Sequence, residues 1–456
     1  MAEAVADRRG QAEDTLATGN LNGLAVTRLG EGEPDWLAQR RLHAWKVYET
    51  TPMPTERMEE WRYTDLAQRL PLDQLHLPSA VLLIDDPATW PEPLKHTMRD
   101  DPDSSGHIVL LGGNVVHADI QPSLASRGVV LTSLRKAVEE HPELLKEHLA
   151  TQAVPPEEGK LQALNAALWT DGVFLYVPRG VRLESPVRVT RWVSGAGTAY
   201  FTRTLIVAEP ASQVSYVDEV LSEDLDSHTF TSTSVEVIAR DSARVQYVAV
   251  QRLGRGVFYQ SAQSTLADRD STLDTLNVSL GGTTTRVDLN ARLLGPGANS
   301  NMLGLYFGDG DQHFDHNTSQ DHLAPATRSD LLYKGALDGG SHSVFRGIIR
   351  VAKRAQQTDA YQTNRNLVLS QGARADSLPK LEIEADDVRC SHGATVGQLD
   401  EEALFYLMSR GISRDQAERL VVLGFLGEVL QRLPLGGVVE KVTRAIESKL
   451  RTGAHA

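Results

Sequence analysis

The chain has 456 residues, with 46 lysines and arginines against 60 aspartates and glutamates, and a single cysteine. A formal charge of −14 argues against nucleic acid as a general partner, and one thiol excludes an internal disulfide or an all-thiolate iron-sulfur site built from this chain alone. The N-terminus lacks the apolar core of a secretory signal and no run of about 18 apolar residues occurs, which predicts a soluble, cytoplasmic protein.

In chain order, residues 1 to about 30 are polar and Gly-rich and are expected to be mobile. "PDWLAQRRLHAWKVYET" places Trp36, Leu37, Ala44, Trp45 and Tyr48 at helical spacing behind Pro34-Asp35. In "MPTERMEEWRYTDL", Trp61 and Tyr63 read as packing anchors. "AVLLID" and "HIVLLGGNVV" read as short strands, and "LTSLRKAVEEHPELLKEHL" and "EEGKLQALNAALW" as helices. Residues 1–160 are therefore expected to form a mixed, mostly helical domain.

From about residue 165 the helical period disappears for some 220 residues, replaced by β-branched and aromatic runs broken by Gly, Asp, Ser and Pro. Aligning the runs sets Phe174, Phe201, Phe230, Phe258, Arg286, Phe314 and Phe345 at equivalent places, with spacings of 27, 29, 28, 28, 28 and 31 residues. A second set of runs, from "SQVSYVDEV" to "TRSDLLYKGAL", falls between them. Two short strands per period suit a β-solenoid; a four-stranded propeller blade usually needs about 40 residues or more, and an antiparallel sandwich is the remaining alternative.

Helical texture returns at Leu399. "DEEALFYLMSRGI" presents Leu404, Phe405, Leu407 and Met408 on an apolar side and ends at Gly411, a C-cap candidate; Ser413 and Gln416 form a capping box ahead of "AERLVVLGFLGEVLQRL". Val438, Val439, Val442, Ile446 and Leu450 make a last stripe. This apolar surface must be covered, by the solenoid end or by another protein.

The chain contains no G-x-x-x-x-G-K-[ST], G-x-G-x-x-G, H-E-x-x-H or G-x-S-x-G signature. "HFDHNTSQDH" gathers His313, His316 and His322 with Asp315 and Asp321; it reads as a metal site or as the polar face of one coil, and the spacing, which matches no compact ligand motif, favours the latter. "KLEIEADDVRCSH" alternates Leu381 and Ile383 with Glu382 and Glu384. If that register runs through Asp386-Asp387, Cys390 and His392 share the glutamates' side, away from the core; a turn at the Asp pair would break it. A nucleophile–base pair is disfavoured because side chains at i and i+2 on a strand run parallel. A ligand pair and a structural thiol beside an imidazole both remain open.

"DDVRCSHGATVGQLDEEALFYLMSRGISRDQAERLVVLGF" resembles the SufB/SufD family of iron-sulfur cluster assembly proteins, as do "AQQTDAYQTNRNLVLS", "LPKLEIEADD", "GVFLYVPRGVRLESPV" and "EEWRYTDL". Gly393 after the histidine is similar to the SufD branch, where the SufB branch typically has Glu. The resemblance implies a right-handed parallel β-helix over residues 161–395, between the N-terminal domain and a C-terminal helical domain over 396–456. It implies a non-enzymatic scaffold that pairs with a SufB-like homologue through the β-helix and binds a SufC ATPase, with a nascent iron-sulfur cluster or iron as cargo, and a reduced flavin associated with such complexes. Carried onto this sequence, His392 and Cys390 belong to the shared cluster site, and Leu404, Phe405, Leu407, Met408, Gly411, Ile412, Leu420, Gly424 and Phe425 to the ATPase-docking part. The competing readings are a carbohydrate-active β-helix enzyme and a SufB-like homodimer holding a cluster by itself.

Overall fold

The computed structural model describes residues 21–78, 87–99, 103–435 and 437–453; the "AVLLID" strand and the first 20 residues lie outside the described residues. The described strands form a ten-stranded and a nine-stranded sheet. From Asp171 to Gly397 successive strands alternate between the two, and each pairs in parallel with the strand two places on. Val257–Ala267, for example, lies between Thr229–Ala239 and Thr284–Leu293. Two strands make one coil, and the stack is a parallel β-helix. Before it, Gly106–Leu111 and Val130–Ser133 join one sheet each, and the hairpin strand Asn114–Ile120 pairs antiparallel at the margin.

The phenylalanine alignment finds the period but not the register. Phe230 lies opposite Phe258, whereas Phe174 lies opposite Leu205, Phe201 opposite Ser232 and Phe345 opposite His316. The set also splits between faces. Phe174, Phe201, Phe230 and Phe258 point out of the coil into a core with Leu37, Ala44, Leu161, Leu164 and Trp169 of the N-terminal helices Asp35–Thr50 and Lys160–Leu168. Phe314 and Phe345 point inward, packing with Tyr306 and Tyr333 of the opposite sheet. The switch follows cover: where the N-terminal helices shield the outer face, aromatic side chains are buried there, and further along the covered outer face is polar, with His313 and Asp315, and the aromatic rings lie in the coil interior.

One corner of the coil repeats the same backbone device. Ala211, Ser242, Asp270, Gly297, Ala326 and Gln357 all take positive φ, between 55° and 75°. A left-handed residue turns the chain sharply from one sheet into the next. Only one of the six is glycine, so five positions carry the cost of that conformation.

The C-terminal apolar stripe covers the broad face of the ten-stranded sheet, not the end of the solenoid. Val422, Leu426, Val429 and Leu430 of Arg414–Arg432, with Val438, Val442 and Ile446 of Val438–Gly453, pack on Val248, Val250, Leu276, Val278, Leu303 and Leu305. Lys334, 3% exposed, pins this layer: its ammonium donates to the Phe425 carbonyl at 2.9 Å and pairs with Glu428. The capping box at Ser413 and Gln416 is formed, and Ile412 N–H to Leu407 O with Gly411 N–H to Met408 O closes the preceding helix as a Schellman motif, Gly411 at φ +87°.

Helices thus cover both broad faces, and among the described residues no strand or helix stacks on one end of the solenoid. There Arg374–Ile383 and Val388–Gly397 are edge strands, each ten residues long and, among the described residues, bonded to a strand on one side only.

Candidate functional site at the open end of the solenoid

Cys390 and His392 both lie on the edge strand Val388–Gly397. The strand is entered through a bend at Asp386-Asp387, fixed by the Gln357 N–H on the Asp387 carbonyl at 2.6 Å and the Asp387 N–H on the Gln356 side chain at 2.9 Å. The bend carries the chain from the nine-stranded to the ten-stranded sheet and resets the alternation. Leu381 and Ile383 face inward as the sequence predicts, but Cys390 does not share the glutamates' side. It stands beside Ala360 and packs with Val388, Ile349 and Val351 on the inner face.

Cys390 is half-buried, and that burial pushes its thiol above the ordinary range, so it is no ready nucleophile at neutral pH. His392, next on the same face and paired in register with Gln362, is exposed because no further coil stacks on it. Two residues of strand separate the pair by about 6.6 Å, too far for a direct thiol–imidazole bond between parallel side chains. The arrangement offers a thiol and an imidazole as two separate donors along one strand at the open end. Beneath them Gln362, 1% exposed, has both amide atoms unpartnered. At Gly393 an added Cβ would meet nothing within 4 Å, so packing does not impose glycine there.

The residues expected to dock an ATPase divide. Leu404 is fully buried; Leu407, Ile412 and Phe425 are half-buried, Phe425 with the Lys334 ammonium 4.3 Å from its ring centre. Phe405 (73% exposed), Met408 and Leu420 point to solvent, and Gly411 and Gly424 are exposed. Tyr406, 57% exposed beside Phe405, belongs to the same apolar surface. Its place next to Phe405 on Glu401–Ser409 was the signal that the sequence pattern, read as one stripe, passed over.

The histidine cluster does not converge, because strand alternation separates it. His316 and His322 point into the coil, His316 stacked 4.8 Å from Tyr306 and His322 bonded to Thr327 and Ser329. His313 points outward and bonds Thr64 at 2.8 Å, whose hydroxyl donates to Asp315 at 2.6 Å. Burial pushes His313 down to about 3 and His316 and His322 to about 4, which makes them neutral structural groups. Among the described residues, no group of three or more His, Cys, Asp or Glu side chains is placed to hold a metal ion, and no helix is long and apolar enough to cross a membrane.

Residues 25–189 match the family model described as the SufBD protein N-terminal region, and residues 191–425 the SUF system FeS cluster assembly, SufBD core domain. The chain is 33% identical over 423 residues to the iron-sulfur cluster assembly protein SufD of Bacillus subtilis, covering 92% of this chain and 95% of that protein. It is 28% identical over 429 residues to an iron-sulfur cluster assembly SufBD family protein of Staphylococcus haemolyticus, covering 90% and 88%. With both family models matched in order along the chain, it belongs to the SufBD family of the SUF iron-sulfur cluster assembly system.

Proposed function

We propose that this chain is the SufD-like scaffold subunit of a SUF complex, without catalytic activity of its own. It pairs with a SufB-like homologue at the bare end of the β-helix and holds a SufC-like ATPase through the exposed apolar face of Glu401–Ser409 and Leu420. The observation that carries this reading is the pair of unpaired ten-residue edges, one of them bearing Cys390 and His392. Bare edges are templates for pairing with another chain. One thiol and one imidazole are too few to hold a cluster, so the remaining ligands come from the partner, and the nascent cluster is cargo built between the two. Energy enters by ATP hydrolysis in the ATPase.

The test is co-purification of the tagged chain with a SufB-like and a SufC-like protein, followed by cluster assembly with His392→Ala. The variant should keep both partners and lose the cluster's absorption band. Failure to bring down either partner, or an undiminished cluster yield, would overturn the assignment.

A further inference from the structure

Between the N-terminal segment and the outer face of the nine-stranded sheet lies a cleft of ≈ 590 Å³, within the range of small-molecule sites. Pro52, Pro54, Met58 and Trp61 form an apolar wall, and Asn290, Asn317 and Ser319 form a polar floor on neighbouring strands.

The basic side chains here are nearly all engaged. Arg286 bridges Asp288 at 3.0 Å and Asp315 at 2.7 Å, and its guanidinium lies 3.7 Å from the Trp61 ring centre. Arg292 pairs with Glu158, Arg350 with Asp321 and Glu382, and Lys380 with Glu382; Lys160 donates to the carbonyls of Tyr48 and Thr51. Arg346 differs. It feels Asp315 and Glu60 through space, but its Nε and Nη1 are buried and bonded to nothing. Opposite it in the register, Asn317 gives its amide N–H to Asp315 at 2.8 Å and leaves its Oδ1 buried and bare. Buried donors left unmade are costly, and a guanidinium without a carboxylate partner favours an anion within reach. Burial also pushes Glu158 up to about 7, which lightens the negative charge of the cleft at neutral pH.

We propose that this cleft is a binding site for a small molecule carrying a carboxylate or phosphate group. The oxyanion is received by the Arg346 guanidinium, with Asn317 beside it on the polar floor. The cleft reaches the edge strand Arg374–Ile383 through Leu378 and Lys380, but the proposal does not depend on the scaffold reading.

The test is calorimetric titration of the full chain at low salt with inorganic phosphate, phenyl phosphate and citrate. At least one should bind with 1:1 saturation. Arg346→Leu and Asn317→Asp, the second placing a negative charge beside Arg346, should each weaken binding by about tenfold or more. Arg350→Leu, which removes an already paired cation, should change it by less than about threefold. Four results would overturn the proposal: no saturable binding of any probe at millimolar concentration; equal binding by Arg346→Leu and the parent; displacement only by an acidic peptide such as poly-glutamate; or a lowered melting point in Arg346→Leu with affinity unchanged. The last would make the side chain a charge balance for Asp288 and Asp315. If Arg346→Leu fails to fold, Asn317→Asp carries the comparison.

Discussion

Arg203 and Glu236 are an ion pair with neither side chain exposed (0% each), and replacing Arg203 with Met tests how the N-terminal layer is held to the sheet. The guanidinium donates to Glu236 at 2.7 and 3.2 Å, to Asn165 Oδ1 at 3.2 Å and to the Val154 carbonyl at 3.0 Å. After the change, the Glu236 carboxylate retains only the Ala150 N–H, 3.0 Å from each oxygen. An uncompensated buried charge of this kind costs roughly 3–5 kcal/mol. Urea unfolding of the parent, Arg203→Met and Arg203→Met/Glu236→Leu at pH 7 reads this directly. The single variant should lose most of that amount, and the double variant should lie near the parent, because an apolar pair of similar volume removes the stranded charge. A loss under about 1 kcal/mol, or a double variant as unstable as the single one, would refute the reasoning.

Four further outcomes are expected. Because His316 is pushed down to about 4, its contribution to stability is intact above pH of about 6.5 and is lost as the pH falls toward 4; His316→Phe should lower proton uptake on unfolding at pH 5 by about one, and unchanged uptake would contradict its burial as a neutral group. Cys390, whose thiol is raised by burial, should react with iodoacetamide several-fold more slowly than free cysteine at pH 8, read by mass spectrometry at the single cysteine; equal rates would mean an open thiol. Ala326→Gly, at φ 55°, should stabilise the chain by roughly 0.5–1 kcal/mol in a urea melt, the relief of the left-handed conformation exceeding the entropy of glycine; a loss would show that the corner is unstrained. Phe405→Asp, at a side chain 73% exposed, should leave the unfolding free energy within about 0.5 kcal/mol of the parent while abolishing retention of the ATPase in a pull-down.

The repeat was legible because each coil must close and so returns to the same place after a nearly fixed number of residues. Its register was not legible, because corners differ in length and slip the alignment by an even number of residues, which keeps Phe201 and Phe230 on one face while moving them out of line. Phe314 went further and changed face, since what decides burial there is a helix far away in sequence. The corners themselves were hidden: glycine is the usual sign of positive φ, and Ala211, Ser242 and Gln357 give none. At the open end, Cys390 and His392 were found by their residue types and motif, but their face was set by the bend at Asp386-Asp387, which alternation cannot cross. Arg346 had no signal at all, since an arginine without a partner looks in sequence like any other.

The two ends of the solenoid are unlike, and this limits how such a molecule can assemble. One finishes in two long parallel edges; the other in the short antiparallel strands Asn114–Ile120 and Val130–Ser133. Head-to-tail stacking would set each ten-residue edge against a strand of seven or four residues and leave part of it unpaired. The long-edged ends match each other in length, and if two of them met, no edge of that length would remain among the described residues. A stack with one such terminus would count to two and stop, which would keep a bare β-edge from becoming the seed of a fibre.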